Sequence, residues 1–227
     1  MRLLLTSGGI TNRSIEEAFL ELIGKPFSES SVAFIPTAAL FENGSKEWLD
    51  ADLARIKKLG TKLDVVDIAK IPKDQLSNRL EPSDVIFVGG GNVFYLSYWM
   101  EKSGLMDQLP KLLQKRIYAG ISAGSMIVTD NLRLASQALE KGDLRDEEYN
   151  ELGPPGQSSS RTLRLVNFVV RPHLNSPWFP NITIDKLSDL AEKLPLPIYA
   201  IDDQTAIQVV DGVVDVVSEG TWQLFNE

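Results

Sequence analysis

The strongest constraint on this chain is a rhythm. Short apolar runs, each closed by glycine, proline or a polar turn, alternate with stretches whose apolar residues recur at helical spacing. Arg2–Ser7 runs into Gly8-Gly9, and a helix is expected from about Ser14, with Ser14 and Glu17 as a capping box. Ser31–Ile35 stops at Pro36, and between Lys46 and Leu59 the residues Leu49, Leu53 and Ile56 share one helical face. Lys62–Ile68, Asp84–Val88 and Arg116–Ala119 are the next strand candidates, and the core pattern resumes at Leu163–Val170. Strands alternating with helices imply a parallel, doubly wound sheet whose ligands gather beyond the carboxyl ends of its strands. The end of the chain differs. Val209-Val210-Asp211-Gly212-Val213-Val214 sets Asp-Gly between β-branched residues, the signal of a type I′ hairpin. The expectation is one α/β domain over residues 1–227, a mostly parallel sheet with helices on both faces and a C-terminal antiparallel hairpin.

Composition narrows the partners. Hydrophobic residues make up 43% of 227, enough for one continuous core. A net charge of −8 argues against nucleic acid or an anionic bilayer as partner. The absence of cysteine removes disulfides, thiolate ligands and cysteine nucleophiles. With one histidine, a zinc site would need an unusual set of carboxylates, so neither metal nor cofactor is expected. The apolar run at Met1–Ser7 is short for a signal peptide, and no stretch approaches the roughly 20 apolar residues of a membrane span. A soluble, cytoplasmic protein is expected, as monomer or homodimer. Ala135 to Arg161 breaks the rhythm with Gly153-Pro154-Pro155-Gly156 and a serine run; it reads either as a loop over a substrate or as a solvated excursion.

Three segments carry chemistry. Gly120-Ile121-Ser122-Ala123-Gly124 follows a short strand and precedes an apolar stretch, the setting of a nucleophile elbow. There the backbone folds tightly, the serine projects at the sheet edge and the Ala123 amide faces a developing oxyanion. An ordinary structural turn is the alternative. Val88-Gly89-Gly90-Gly91-Asn92 follows another strand; its glycines allow close backbone approach, and Asn92 can cap the next helix. No Gly-Lys-Ser/Thr follows, so phosphate binding lacks its usual company. Beside a serine elbow, the Gly90 amide becomes an oxyanion donor candidate. The third segment is Val170-Arg171-Pro172-His173-Leu174-Asn175. A serine hydroxyl needs an adjacent base, and His173 is the only imidazole. If Ser122 is a histidine-assisted nucleophile, His173 must be that base.

A carboxylate should orient the imidazole, and Asp202-Asp203 follow the strand Ile198–Ile201. Their side chains point to opposite sides of an extended chain, so one can meet His173 and spacing does not say which. The order Ser, His, Asp differs from those of α/β-hydrolases, chymotrypsin-like enzymes and subtilisins.

Val-Gly-Gly-Gly-Asn at 88–92, Gly-Ile-Ser-Ala-Gly at 120–124, Pro-His at 172–173 and Ile-Asp-Asp-Gln-Thr-Ala at 201–206 together resemble the peptidase E (aspartyl dipeptidase) family of serine peptidases, whose relatives include the cyanophycinases. The resemblance implies a flavodoxin-like sheet similar to class I glutamine amidotransferase domains, with a serine where amidotransferases carry cysteine. It implies Ser122 as nucleophile, His173 as base and Asp203, where relatives often carry glutamate, as the acidic member. Gly90 and Ala123 would form the oxyanion hole. The implied substrate is a small peptide, and dipeptidases of this family cleave after an N-terminal aspartate, which calls for a cation in the pocket. Arg171 and Asn92 are the substrate-contact candidates, although Arg171 can equally pair with a nearby carboxylate. Relatives tend to carry arginines in the helix after the histidine loop, where this chain offers mainly Lys186. Trp178 and Phe179 could wall the pocket or belong to the core. The alternatives are an esterase or amidase with the same three groups, and a non-catalytic amidotransferase-like domain that binds a small ligand or partner.

Overall fold

A computed structural model describes residues 1–135 and 155–227. Among the described residues ten strands form two sheets. The larger holds β1 (Arg2–Thr6), β2 (Ser31–Ile35), β3 (Lys62–Val65), β4 (Val85–Val88), β5 (Ile117–Ile121), β8 (Thr205–Val210) and β9 (Val213–Ser218), in the order β3-β2-β4-β5-β1-β8-β9. Its first five strands are parallel, and β8 and β9 add antiparallel at one side. The smaller sheet holds β6 (Val169–Arg171), β7 (Ile198–Ile201) and β10 (Trp222–Phe225), in the order β10-β7-β6.

The apolar runs have a direct cause: both faces of the large sheet are covered. Leu3 and Leu5 of β1 pack into one core with Ile86 and Val88, while Leu4 packs into another with Phe34 and Phe87. The first core is closed by α4 (Lys73–Leu80), α5 (Val93–Lys102), α6 (Leu105–Leu112) and the short α7 (Ala123–Met126), through side chains such as Leu76, Phe94, Leu109 and Met126. On the other face, α1 (Arg13–Ile23) contributes Ile15, Phe19 and Leu22, and α3 (Glu47–Lys58) contributes Leu49 and Ile56. A further helix, α2 (Thr37–Phe41), follows β2. The hairpin forms as expected: Val210 pairs with Val213, and Asp211 and Gly212 take φ of 48° and 90°.

Three expectations are corrected. Leu163–Val170 is not one strand, because Leu163 and Leu165 donate their amides to the carbonyls of Ile127 and Val128; only Val169–Arg171 joins a ladder. Ile198–Ile201 pairs with that strand and with β10, and so leaves the parallel sheet for the small one. The cap of α1 is Asn12, with extended backbone (φ −145°) and Oδ1 accepting from the Ile15 amide, not Ser14. Ser14 lies inside the first turn and donates from its amide and hydroxyl to Glu219, while Glu17 pairs with Arg13. The segment 135–161 lies largely outside the described residues. Its described end is anchored: the Ser159 amide donates to the Phe94 carbonyl and the Ser97 hydroxyl to that of Arg161.

One charge is buried in α3. Asp52 is 7% exposed and accepts from Arg55 at 2.9 Å. Gly9 passes beside it with φ 84°, where a Cβ would lie 3.1 Å from Ile121 Cδ1 and in ordinary contact, 3.4 Å, with Asp52 Oδ1. Burial pushes the Asp52 carboxyl up to about 6 against the pull of Arg55, with the Asp203 carboxylate adding to the rise. The folded chain therefore holds this proton more tightly than the unfolded chain does. The resulting stability is complete below the ordinary value of 3.8 and lost as pH rises through about 6.

Urea unfolding at pH 5 and pH 8 should show this directly: Asp52→Asn gains roughly 1–1.5 kcal/mol on the wild type between the two. The cap is tested the same way. Asn12→Ala should cost about 1 kcal/mol, whereas Glu17→Gln, at an exposed pair, should stay within about 0.5 kcal/mol.

Candidate active site

Register brings three strand ends to one level. Thr6 pairs with Ile121 and Val88 with Gly120, so Ser7, Ser122 and the glycine run at 89–91 leave the sheet side by side. This is the carboxyl edge of the parallel strands, where such sheets hold their ligands.

Ser122 sits at the tip of a strained turn, with φ 48° and ψ −105°. Its flanking glycines are sterically required. A Cβ on Gly120 would lie 2.6 Å from the Gly124 carbonyl, and one on Gly124 would lie 2.1 Å from the Val88 oxygen. The turn is held from β1: the Ser122 amide donates to the Thr6 carbonyl at 3.0 Å and the Ser125 hydroxyl to the same oxygen at 2.7 Å. The Thr6 hydroxyl donates to the Gly120 carbonyl, and Tyr118 Oη to that of Gly124. Ala123 opens α7 directly after the serine. Gly90 lies alongside, its Cβ position 3.5 Å from Ser122 Cβ and 3.8 Å from the Trp48 ring.

His173 comes from the small sheet, just beyond β6. Its backbone is left-handed (φ 64°), as is that of Asn175 (φ 56°), and the Leu174 amide is tied to the Ile201 carbonyl. The imidazole stacks on Phe179, with ring centroids 4.5 Å apart at 14°. Its Nε2 is 2.8 Å from Ser122 Oγ, and its Nδ1 is 2.8 Å from Asp203 Oδ1.

The geometry separates the two aspartates. Asp202 is taken up by its own turn, accepting from the Gln204 amide, the Thr205 hydroxyl and the Thr221 amide. Asp203 faces the imidazole and also accepts from Ser7 Oγ at 2.5 Å. Burial pushes the Asp203 carboxyl up, but the His173 bond and charge, the Ser7 bond and Arg55 together hold it below the usual carboxylate range.

The two substrate-contact candidates lie deeper. Asn92 is 7% exposed, and its Oδ1 caps α5 by accepting from the Phe94 and Tyr95 amides. Arg171 is 1% exposed, with Nη1 4.0 Å from Met126 Sδ, and burial lowers it to about 9. Trp178 is 85% exposed, and Lys186 is an exposed residue of α8 (Ile184–Ala191) that donates to Asn181. Sequence reasoning missed Ser7 and the α3 residues Asp52 and Arg55. Their only signal was a polar residue after a strand and an ordinary i, i+3 pair. A cavity of about 730 Å³ lies elsewhere, lined among others by Glu101, Asp130 and Arg161, and it includes none of the three converging residues. Among the described residues no helix is long and apolar enough to cross a membrane.

Known proteins share this arrangement's frame. An uncharacterized peptidase of Listeria monocytogenes is 28% identical over 179 residues, 78% of this chain and 80% of the relative. Peptidase E of a Nostoc species is 22% identical over 205 residues, covering 88% and 77% of the two chains. A crystal structure of a Listeria monocytogenes protein assigned provisionally to peptidase E superposes with a TM-score of 0.76 at 24% identity, over 96% of this chain and 98% of that one. The model of peptidase family S51 matches residues 3–217, from β1 into β9 and through every segment that meets at the sheet edge. The chain thus belongs to peptidase family S51, and it is a serine-type peptidase of the peptidase E kind.

Proposed function

We propose that the chain hydrolyses short peptides, dipeptides with an N-terminal aspartate among them, through Ser122 as nucleophile, His173 as base and Asp203 as the group that orients the base. The observation that carries this reading is the pair of 2.8 Å contacts on the two ring nitrogens of His173, one to Ser122 Oγ and one to Asp203 Oδ1. Asp203 can only accept when ionised, so Nδ1 carries the proton and Nε2 is free to take the serine's.

In acylation, Ser122 Oγ attacks the peptide carbonyl carbon as its proton passes to Nε2. The carbonyl oxygen gains the negative charge, and the amides of Gly90 and Ala123 are our candidates to stabilise it. Collapse breaks the C–N bond while Nε2 returns the proton to the departing amine. A water molecule then attacks the acyl-enzyme with Nε2 as base, releasing the acid and restoring the serine hydroxyl. The left-handed turn at Ser122 supports this role, because strain of that kind projects a side chain from a sheet edge. An intact contact at Asp203 favours catalysis over a silent binding domain. We place the activity in the cytoplasm, in keeping with a chain that has no cysteine to oxidise.

For the acidic side chain of the substrate, Arg55 is a better candidate than buried Arg171. Its side chain is 44% exposed, and its charge reaches Asp203. Asp52 would fix its direction from behind.

A fluorophosphonate probe should label the wild type at one serine. Ser122→Ala should abolish labelling, and His173→Ala should slow it at least about 10³-fold with the melt unchanged. Labelling that survives in Ser122→Ala ends this reading. Arg55→Gln should raise KM for Asp-Xaa dipeptides roughly tenfold, with kcat within about twofold and little effect on dipeptides with a neutral first residue. Simple esters cleaved in preference to Asp-Xaa would turn the assignment to an esterase.

A further inference from the structure

Resting on that catalytic reading, we infer that Ser7 is a positioning residue that ties the His173 main chain to the Asp203 carboxylate and so keeps the base and its orienting acid aligned. Ser7 lies just past the end of β1, is fully buried, and touches both partners of the charge-bearing pair. Its Oγ accepts from the His173 main-chain amide at 2.8 Å, lies 2.5 Å from Asp203 Oδ1 and is 3.4 Å from His173 Nδ1.

Donor chemistry allows one consistent direction through these contacts. A main-chain N–H can only donate, so Ser7 Oγ accepts from His173. The single hydroxyl proton of Ser7 then goes to the nearer acceptor, the Asp203 carboxylate at 2.5 Å rather than Nδ1 at 3.4 Å. Asp203 Oδ1 has no proton to give, so the ring must donate from Nδ1. That leaves Nε2 bare and facing the Ser122 hydroxyl, the tautomer a general base requires. The ionised Asp203 fixes the ring's tautomer; Ser7, held by the His173 amide and donating to the same oxygen, keeps that carboxylate aimed at Nδ1.

Ser7 also acts on the backbone. His173 is held in a left-handed conformation that an L residue rarely keeps without support, and the bond to its amide is made by Ser7. Because β1 also holds the turn of Ser122, through Thr6, neighbouring residues of one strand end grip the nucleophile and the base, which come from different sheets. Complete burial of Ser7 keeps it from acting as a nucleophile itself.

His173 is the only histidine, so ¹⁵N-histidine labelling reports its ring without assignment. With the ring neutral, the wild type should show a protonated Nδ1 and a bare Nε2. In Ser7→Ala the two signals should move toward a mixture of tautomers. Fluorophosphonate labelling of Ser122 should slow roughly 10- to 100-fold, as expected for a base displaced by a fraction of its contact distance. Ser7→Thr, which keeps the hydroxyl, should recover most of the rate. Wild-type labelling rate and tautomer retained in Ser7→Ala would overturn the inference while leaving Ser122 and His173 in their roles. Absence of any labelling of wild-type Ser122 would instead sink the catalytic reading. If Ser7→Ala does not fold, Ser7→Cys, which keeps the side chain's shape but donates weakly, takes its place: slowed labelling with a shifted tautomer supports the inference, and wild-type values for both overturn it.

Discussion

Everything at the sheet edge depends on one buried residue of β1, the strand beside the central one. The Thr6 carbonyl accepts both the Ser122 amide and the Ser125 hydroxyl, and the Thr6 side chain bridges the Gly120 carbonyl and the Gly9 amide. These bonds clamp the strained serine turn on one side and the glycine loop after β1 on the other. An isolated turn with φ 48° at a non-glycine residue would relax. Here relaxation would strand several buried polar groups at once, and that cost keeps the serine projecting.

The second requirement is convergence of two sheets. Ser122 leaves β5 of the large sheet, His173 leaves β6 of the small one, and Asp203 lies on the short link between β7 of the small sheet and β8 of the large. The carboxylate therefore occupies the seam. Close packing enforces its position, since a Cβ on Gly8 would lie 3.0 Å from both Asp203 Cβ and its carbonyl oxygen, and Thr11 donates to that carbonyl at 2.7 Å. Placement of the acid is thus a property of the seam's backbone as much as of its side chain.

What the sequence revealed follows the range of the forces involved. Gly120 and Gly124 are dictated by contacts within a few residues and with the neighbouring strand, so the elbow was legible from its motif. The strands were legible because two covered faces demand unbroken apolar runs, and the hairpin because Asp211 and Gly212 need positive φ. Spacing alone left Asp202 and Asp203 as alternatives and the resemblance pointed to Asp203; what separates them in space includes the Thr221 amide, which takes up Asp202 from the turn before β10. The small sheet was not legible, because β10 pairs with β7 across the intervening β8–β9 hairpin of the other sheet and Leu163 spends its amide on Ile127. Arg171 looked like a pocket residue through its nearness to His173. The left-handed backbone at His173 breaks the alternation that would have put both side chains on one side, and Arg171 turns into the core. Asn12 displaced Ser14 as a cap for a similar reason: extended backbone, not residue type alone, makes the cap.

The division between sheets also has a temporal side. The parallel strands and the serine turn are encoded within residues 2–126, whereas the imidazole is added only with the segment that carries β6. In chain order the Ser122 hydroxyl therefore precedes its imidazole, and under the proposed mechanism a chain ending before β6 would carry the alcohol without a base to activate it.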